Sequence, residues 1–178
     1  MRVVGGRLGG RTLIAPRGRA TRPTPERVRE ALFSILGSVQ DERVLDLFAG
    51  SGALAIEALS RGAREATLVE SAETAIAAIR RNLGDLGLTA ELRRQSALAF
   101  LERARADARQ YDLVFVDPPY RHASALGREL STALAPVLAP GARVAAESDR
   151  RSPLELETLS LQDERRYGDT LIRIYGSR

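Results

Sequence analysis

Asp117-Pro118-Pro119-Tyr120 is the segment of this 178-residue chain best equipped to do chemistry. Two consecutive prolines fix two φ angles, and a residue before proline is pushed out of the helical region, so the carbonyls of Asp117 and Pro118 point in set directions. With the Asp117 carboxylate they make a rigid set of hydrogen-bond acceptors. Such a set suits an exocyclic base amine, which has two N–H donors and a lone pair delocalised into the ring, and is therefore a poor nucleophile. If Asp117 and the Pro118 carbonyl each accept one N–H, the lone pair turns toward an electrophilic methyl group held in line. Tyr120 is the expected stacking partner, since aromatic faces bind bases at about 1–3 kcal/mol each. The base must then be unpaired or flipped from its stack. No metal is called for. Taken alone, the same four residues also make an ordinary strand-exit turn, and they would hold an amide nitrogen equally well.

A second segment, Asp46-Leu47-Phe48-Ala49-Gly50-Ser51-Gly52-Ala53-Leu54-Ala55, reads as a tight glycine turn from a strand into a helix whose free N–H groups can meet a polar ligand. Gly50, Gly52 and Ala55 also fit a relaxed dinucleotide fingerprint, and Glu70 is spaced to bind an adenosine ribose in either case. Asp46 separates the two readings. A carboxylate just before the loop repels a pyrophosphate, whereas it favours the ammonium and sulfonium of S-adenosylmethionine. Asp46 with Phe48, Ala49, Gly50, Ser51 and Gly52 is thus expected to hold the methionine part of that cofactor. Glu70, with Ser71, is expected at the ribose, Ser96 with Ala97 at the adenine, and Asp117 at the reactive side. Ser96 is equally well explained as the N-cap of a helix from Ala97.

These segments need a frame that brings strand ends together. From Arg43 onward short apolar strands alternate with amphipathic helices: strands over 43–47, 66–70, 90–94 and 111–117, and helices over 53–60, 72–86 and 97–106. A further helix near 123–135 precedes strands near 142–148 and 169–175. In the helix from Ala72, Ile76, Ile79, Leu83 and Leu86 share one stripe. Repeated β-α units of this length predict an α/β fold with a mostly parallel sheet and helices on both faces, and ligands in such sheets bind beyond the carboxyl ends of the strands. Ahead of this frame, Val3-Val4 and Leu13-Ile14 flank paired glycines and predict a small hairpin. Thr24 and Pro25 predict the N-cap and first position of a helix carrying Val28, Ala31, Leu32 and Ile35 on one face, with the Arg27 side chain free for another partner.

Composition narrows the chemistry. The chain has no cysteine and a single histidine, His122, expected in an exposed loop, so thiolate metal sites, cysteine nucleophiles and a histidine-centred triad are excluded. No run reaches the roughly 18 apolar residues of a membrane span, and a soluble, cytoplasmic, monomeric protein is expected. Charge is uneven. Residues 1–29 hold eight arginines and one acid, while residues 30–178 hold 19 arginines and 22 acids. Clustered guanidinium groups bind phosphate in bidentate geometry and release counterions. Residues 1–22 therefore read as a basic docking arm ahead of a catalytic domain over 23–178, with Arg2, Arg7, Arg11, Arg17, Arg19, Arg22 and Arg27 as the expected RNA contacts.

Taken together, these motifs make the chain resemble the bacterial 16S ribosomal RNA guanine-N2 methyltransferases called RsmD. The likeness rests on Arg2-Val3-Val4-Gly5-Gly6 with Gly10-Arg11, on Arg22-Pro23-Thr24 followed by Arg27 to Phe33, on Asp46 to Gly62, and on Asp117 to Tyr120. It implies a class I methyltransferase fold with a seven-stranded sheet, S-adenosylmethionine as methyl donor, 16S ribosomal RNA as partner and the guanine conventionally numbered 966 as target. Ser34 stands where the family usually has asparagine, and Ser96 where aspartate or asparagine is frequent. DNA adenine-N6 and protein glutamine methyltransferases use a similar turn, more often with asparagine first, and a non-catalytic RNA-binding assembly factor on the same fold is the reading from another class. Calorimetry should show S-adenosylmethionine binding and no response to NAD; the reverse would overturn the assignment of the Asp46 loop.

Overall fold

Val44-Leu45 and Leu113-Val114-Phe115-Val116 have no polar face, and such runs are stable only where both sides of a strand are covered. In the computed structural model, which describes residues 1–16, 24–118 and 123–177, they form the adjacent central strands β1 (Arg43–Asp46) and β4 (Tyr111–Val116) of a seven-stranded sheet. On one side β2 (Glu65–Glu70) and β3 (Glu91–Arg94) extend it in parallel. On the other, β5 (Leu138–Asp149) is parallel to β4, while β6 (Ser160–Tyr167) and β7 (Thr170–Gly176) run antiparallel, in the overall order β3-β2-β1-β4-β5-β7-β6.

Side-chain alternation along the strands divides the core into two. Val44, Leu113 and Phe115 pack with α1 (Glu26–Leu36), α2 (Ala53–Ser60) and α3 (Glu73–Leu86). Leu45, Val114 and Val116 pack on the opposite face with α4 (Ala97–Ala106) and α5 (Ala123–Leu134). Strand order reverses between β1 and β4, which is where such sheets open a crevice at their carboxyl ends. Among the described residues no helix is long and apolar enough to cross a membrane.

Most expected elements fall within a residue or two of their bounds, and two differences are informative. β6 gives no apolar pattern because it is an edge strand, paired only to β7, with Asp163, Glu164, Arg165 and Arg166 in succession; charge on an edge discourages further strand pairing. Thr24 does not cap α1. The helix starts at Glu26, with extended Pro25 at the cap and its carbonyl accepting the N–H groups of Val28 and Arg29. The Thr24 hydroxyl instead donates to the buried carboxylate of Glu147, 2.8 Å away.

The N-terminal residues are built into the body. Arg2 and Thr12 form an antiparallel bridge around a 3-10 turn at Gly6–Leu8, and the Val3 and Leu13 side chains join the core beside α1 and α2. Glu57 of α2, fully buried, accepts the backbone N–H groups of Val4 and Gly5, each at 2.7 Å, and the Arg61 guanidinium at 2.8 Å. Fully buried Arg29 lies 3.7 Å from Glu57 and donates to the Arg2 carbonyl. Gly6, at φ +72°, passes so close to the Ser60 carbonyl that a side chain has no room.

Arg29, one of the eight N-terminal arginines, is therefore a core cation matched to Glu57, not a surface charge. Glu57→Ala would leave Arg29 buried without its counter-ion and free two N–H groups. It should cost about 3–5 kcal/mol, read as a lower thermal midpoint; an unchanged midpoint would show that Glu57 is not what holds the N-terminal segment down.

Candidate active site

β1 ends at Asp46 because the chain must turn at once into α2, and it does so through Gly50 at φ +54° and Gly52 at φ +78°. A Cβ at Gly52 would sit 3.0 Å from Leu68, so this turn closes only on glycine. Asp46 is buried, with Oδ2 accepting the Ala55 N–H at 3.3 Å and the Phe48 N–H also bonding the carboxylate. Burial pushes its pKa up to about 7, the backbone bonds oppose the rise, and the nearby charge of Glu70 adds to it.

β2 ends at Glu70, whose carboxylate is oriented by the backbone. Oε2 accepts the Gly50 N–H at 2.9 Å, and Oε1 accepts the N–H groups of Ser71 and Ala72 at 2.7 and 2.8 Å. A carboxylate has about four acceptor positions, so capacity remains for a hydroxyl. The Ser96 hydroxyl accepts the Ala99 N–H at 3.3 Å and so does cap α4. It also lines a cleft of about 170 Å³ with Leu47, Phe48, Glu70, Ser71, Gln95, Ala97, Leu98 and Leu126.

β4 leads to Asp117 and buried Pro118; Pro119, Tyr120 and His122 lie outside the described residues. In the parallel register Val116 pairs with Ala146, which sets Asp117 beside Glu147 of β5. Burial holds the Asp117 carboxyl well above the usual range, and the charges of Glu147 and Asp46 push it further the same way. Burial raises Glu147 too, opposed by the Thr24 hydroxyl, which lies within bonding reach of both carboxylates. Three acids from three strands thus share one poorly solvated edge.

The sequence-predicted residues fall into two groups. Phe48, Glu70, Ser71, Ser96 and Ala97 line this cleft, and Asp46 and Asp117 stand at the carboxyl ends of the neighbouring strands β1 and β4. Ser51 faces elsewhere: its hydroxyl points to the Met1 sulfur at 3.7 Å, and its carbonyl accepts from buried Asn82, which also bonds the Ile14 N–H and carbonyl. Of the expected RNA contacts, Arg2 is engaged with Glu26, and Arg11 donates to the Asp85 carbonyl. Arg7 and Arg27 are exposed; Arg17, Arg19 and Arg22 lie outside the described residues. Glu147, Gln95, Leu98 and Leu126 were not foreseen. Glu147 directly follows the apolar run Val144-Ala145-Ala146 near the end of an expected strand, and that position was the available signal.

The residues present fit a cofactor joining an adenosine to a cationic amino acid. Apolar walls from Leu47, Phe48, Leu98 and Leu126 suit a flat ring, Glu70 suits vicinal hydroxyls, and a buried acid with a raised pKa favours a neighbouring cation. Topology and site together define a class I S-adenosylmethionine-dependent methyltransferase.

A family model described as "Conserved hypothetical protein 95" matches residues 1–176, and the chain belongs to that family, the one that contains RsmD. A relative from Bacillus subtilis named "Putative rRNA methyltransferase YlbH" is 36% identical, with all of both chains covered. "Ribosomal RNA small subunit methyltransferase D" of Haemophilus influenzae is 33% identical over 98% of this chain and 93% of its own. The solved structure described as "Putative methyltransferase yhhF from Escherichia coli" superposes with a TM-score of 0.85 at 36% identity, covering 100% of this chain and 98% of that one.

With a pKa of about 7, Asp46 is roughly half protonated at neutral pH without ligand. A bound ammonium favours the carboxylate, so cofactor binding should release protons near pH 7, and affinity should weaken as pH falls below 7. In the unliganded chain the sign is opposite to that of a salt-bridged acid. The folded state keeps a proton that the unfolded state has lost, so this group's contribution to stability declines as pH rises from about 4 toward 7. Calorimetry of S-adenosylhomocysteine binding in two buffers of different ionisation enthalpy checks the proton release; equal heats and a pH-independent affinity would refute it.

Proposed function

We propose that the chain methylates the exocyclic N2 amine of a guanine in 16S ribosomal RNA, at the position conventionally numbered 966. The observation that carries this reading is the half-buried Asp117 carboxylate, followed by Pro118 at the end of the central strand and close enough to Asp46 to feel its charge. When bound, S-adenosylmethionine supplies an electrophilic methyl group. Asp46 and the Phe48–Gly52 turn hold its amino-acid part, Glu70 its ribose, and the cleft at Ser96 and Ala97 its adenine.

Asp117 and the Pro118 carbonyl accept the two amine N–H groups and fix the plane of the nitrogen, which leaves its lone pair as the only free direction. The proton given up on methylation passes to Asp117, whose raised pKa makes it a competent acceptor. Tyr120 stacks on the base. An rRNA substrate is supported by the name of the Haemophilus influenzae relative, which aligns along nearly the whole chain.

Docking of RNA falls to the basic N-terminal segment. Its place supports this: Arg2 bonds Glu26, two residues from Thr24, which touches the Glu147 carboxylate at the catalytic edge. Exposed Arg7 and Arg27, with Arg17, Arg19 and Arg22, contact phosphate.

Mass mapping of nucleosides in small-subunit rRNA after incubation with the chain and S-adenosylmethionine should place one added methyl on guanine N2. Asp117→Ala should lower turnover by about 10²–10³-fold or more while leaving cofactor affinity little changed. Label found only on DNA or protein, or turnover surviving the substitution, would overturn the reading.

A further inference from the structure

Glu147 has no part in the chemistry above, yet its placement costs the fold something. The residue is 6% exposed, and it lies on the strand next to the one that leads to Asp117. Strands so paired are about 4.8 Å apart, so the two carboxylates crowd one edge and each disfavours the other's charge. A methyltransferase that needed only two acceptors for an amine would be served by Asp117 and the Pro118 carbonyl. The second acid is a third acceptor. Thr24 donates to its Oε2 at 2.8 Å, and among the described residues no hydrogen bond reaches Oε1.

The bases differ in what lies beside the exocyclic amine. Adenine N6 is flanked by N1, cytosine N4 by N3, and a glutamine amide by its own carbonyl, all of them acceptors. Only guanine sets a donor, N1–H, beside an amine, on N2. An ionised carboxylate is acceptor-only, so it bonds guanine N1–H and repels an acceptor at that place. Two N–H donors on guanine also oppose the effect of burial on the acid pair, whereas adenine N1 would require Glu147 to hold a proton.

We propose that Glu147, with Oε2 anchored by Thr24, accepts the N1–H of the target guanine through Oε1 and is the residue that selects guanine. This rests on the guanine-N2 reading given above and adds to it the element that enforces the base. Thr24 has a positioning role: it fixes the carboxylate without touching the base.

The test compares methyl transfer to small-subunit rRNA carrying guanine at the target position with transfer to the same RNA carrying 2-aminopurine there. That analogue keeps the N2 amine but has an unprotonated N1 and no O6. The unaltered chain should prefer guanine by roughly 10–100-fold in kcat/KM, the value of a charge-assisted hydrogen bond. Glu147→Gln, whose amide can turn either its oxygen or its NH2 toward N1, should reduce that preference to near unity while S-adenosylhomocysteine affinity stays unchanged. Equal use of the two RNAs by the unaltered chain would overturn the inference, and so would a preference that survives in Glu147→Gln. Methyl on another base, or none on guanine N2, would instead bring down the underlying reading. If Glu147→Gln fails to fold, Thr24→Val, which removes the anchor of Oε2, is read in its place and should lower the same preference; a preference unchanged in that variant would overturn the inference.

Discussion

The structure turns on the electrostatic cost of placing Asp46, Asp117 and Glu147 at the carboxyl edge of three adjacent strands, where little water reaches them. Val44-Leu45, Leu113 to Val116 and Val144 to Ala146 lead into these acids without a polar residue, so the packing that holds the sheet together buries Asp46 and Glu147 and half-buries Asp117. Their raised pKa values express that cost. A site of this kind is completed by what it lacks: positive charge on one side and N–H donors on the other. A cationic amino-acid cofactor and a base amine have those two properties, which is what the proposed function asks one sheet edge to accommodate.

The rest of the fold holds this edge in place. Glu70 is fixed by three backbone N–H groups, so its carboxylate is oriented before any ligand arrives. The N-terminal segment is secured by a second buried acid, Glu57, whose two backbone bonds and paired arginines tie residues 2–5 to α2. Asn82 then joins Ile14 to the Ser51 carbonyl in the glycine turn. A segment that reads as a charged appendage thus packs against the cofactor loop. Displacement of one would be felt by the other, because buried hydrogen bonds to a rigid turn have few alternative arrangements.

The candidate site was legible in the sequence where residue type and local geometry coincide. Gly50 and Gly52 require positive φ, Asp117-Pro118 locks an acceptor pair, and Asp46 before a glycine turn argues against a phosphate ligand, all from neighbours in the chain. Helices α2 and α4 were equally plain, since periodicity is a local property. β6 was not, because an exposed edge strand has no buried face to mark it. Thr24 misled for a related reason: a threonine before Pro-Glu has the composition of a helix cap, and only the approach of Glu147 from β5 gave its hydroxyl another acceptor.

Sequence alone determined the alternation of β and α units, the cofactor class and the excess of arginine at the front. Tertiary structure decided which charges are free to act. It took Arg29 out of the basic surface by pairing it with Glu57, and it brought Glu147 from a distant strand to the side of Asp117. The reason is physical. A residue's type and its neighbours fix what hydrogen bonds it can make, but its burial and its charge environment come from segments far away in the chain. Asp117 to Tyr120 carry a possible chemistry in their residue types alone; the acid that stands beside Asp117 comes from a partner strand.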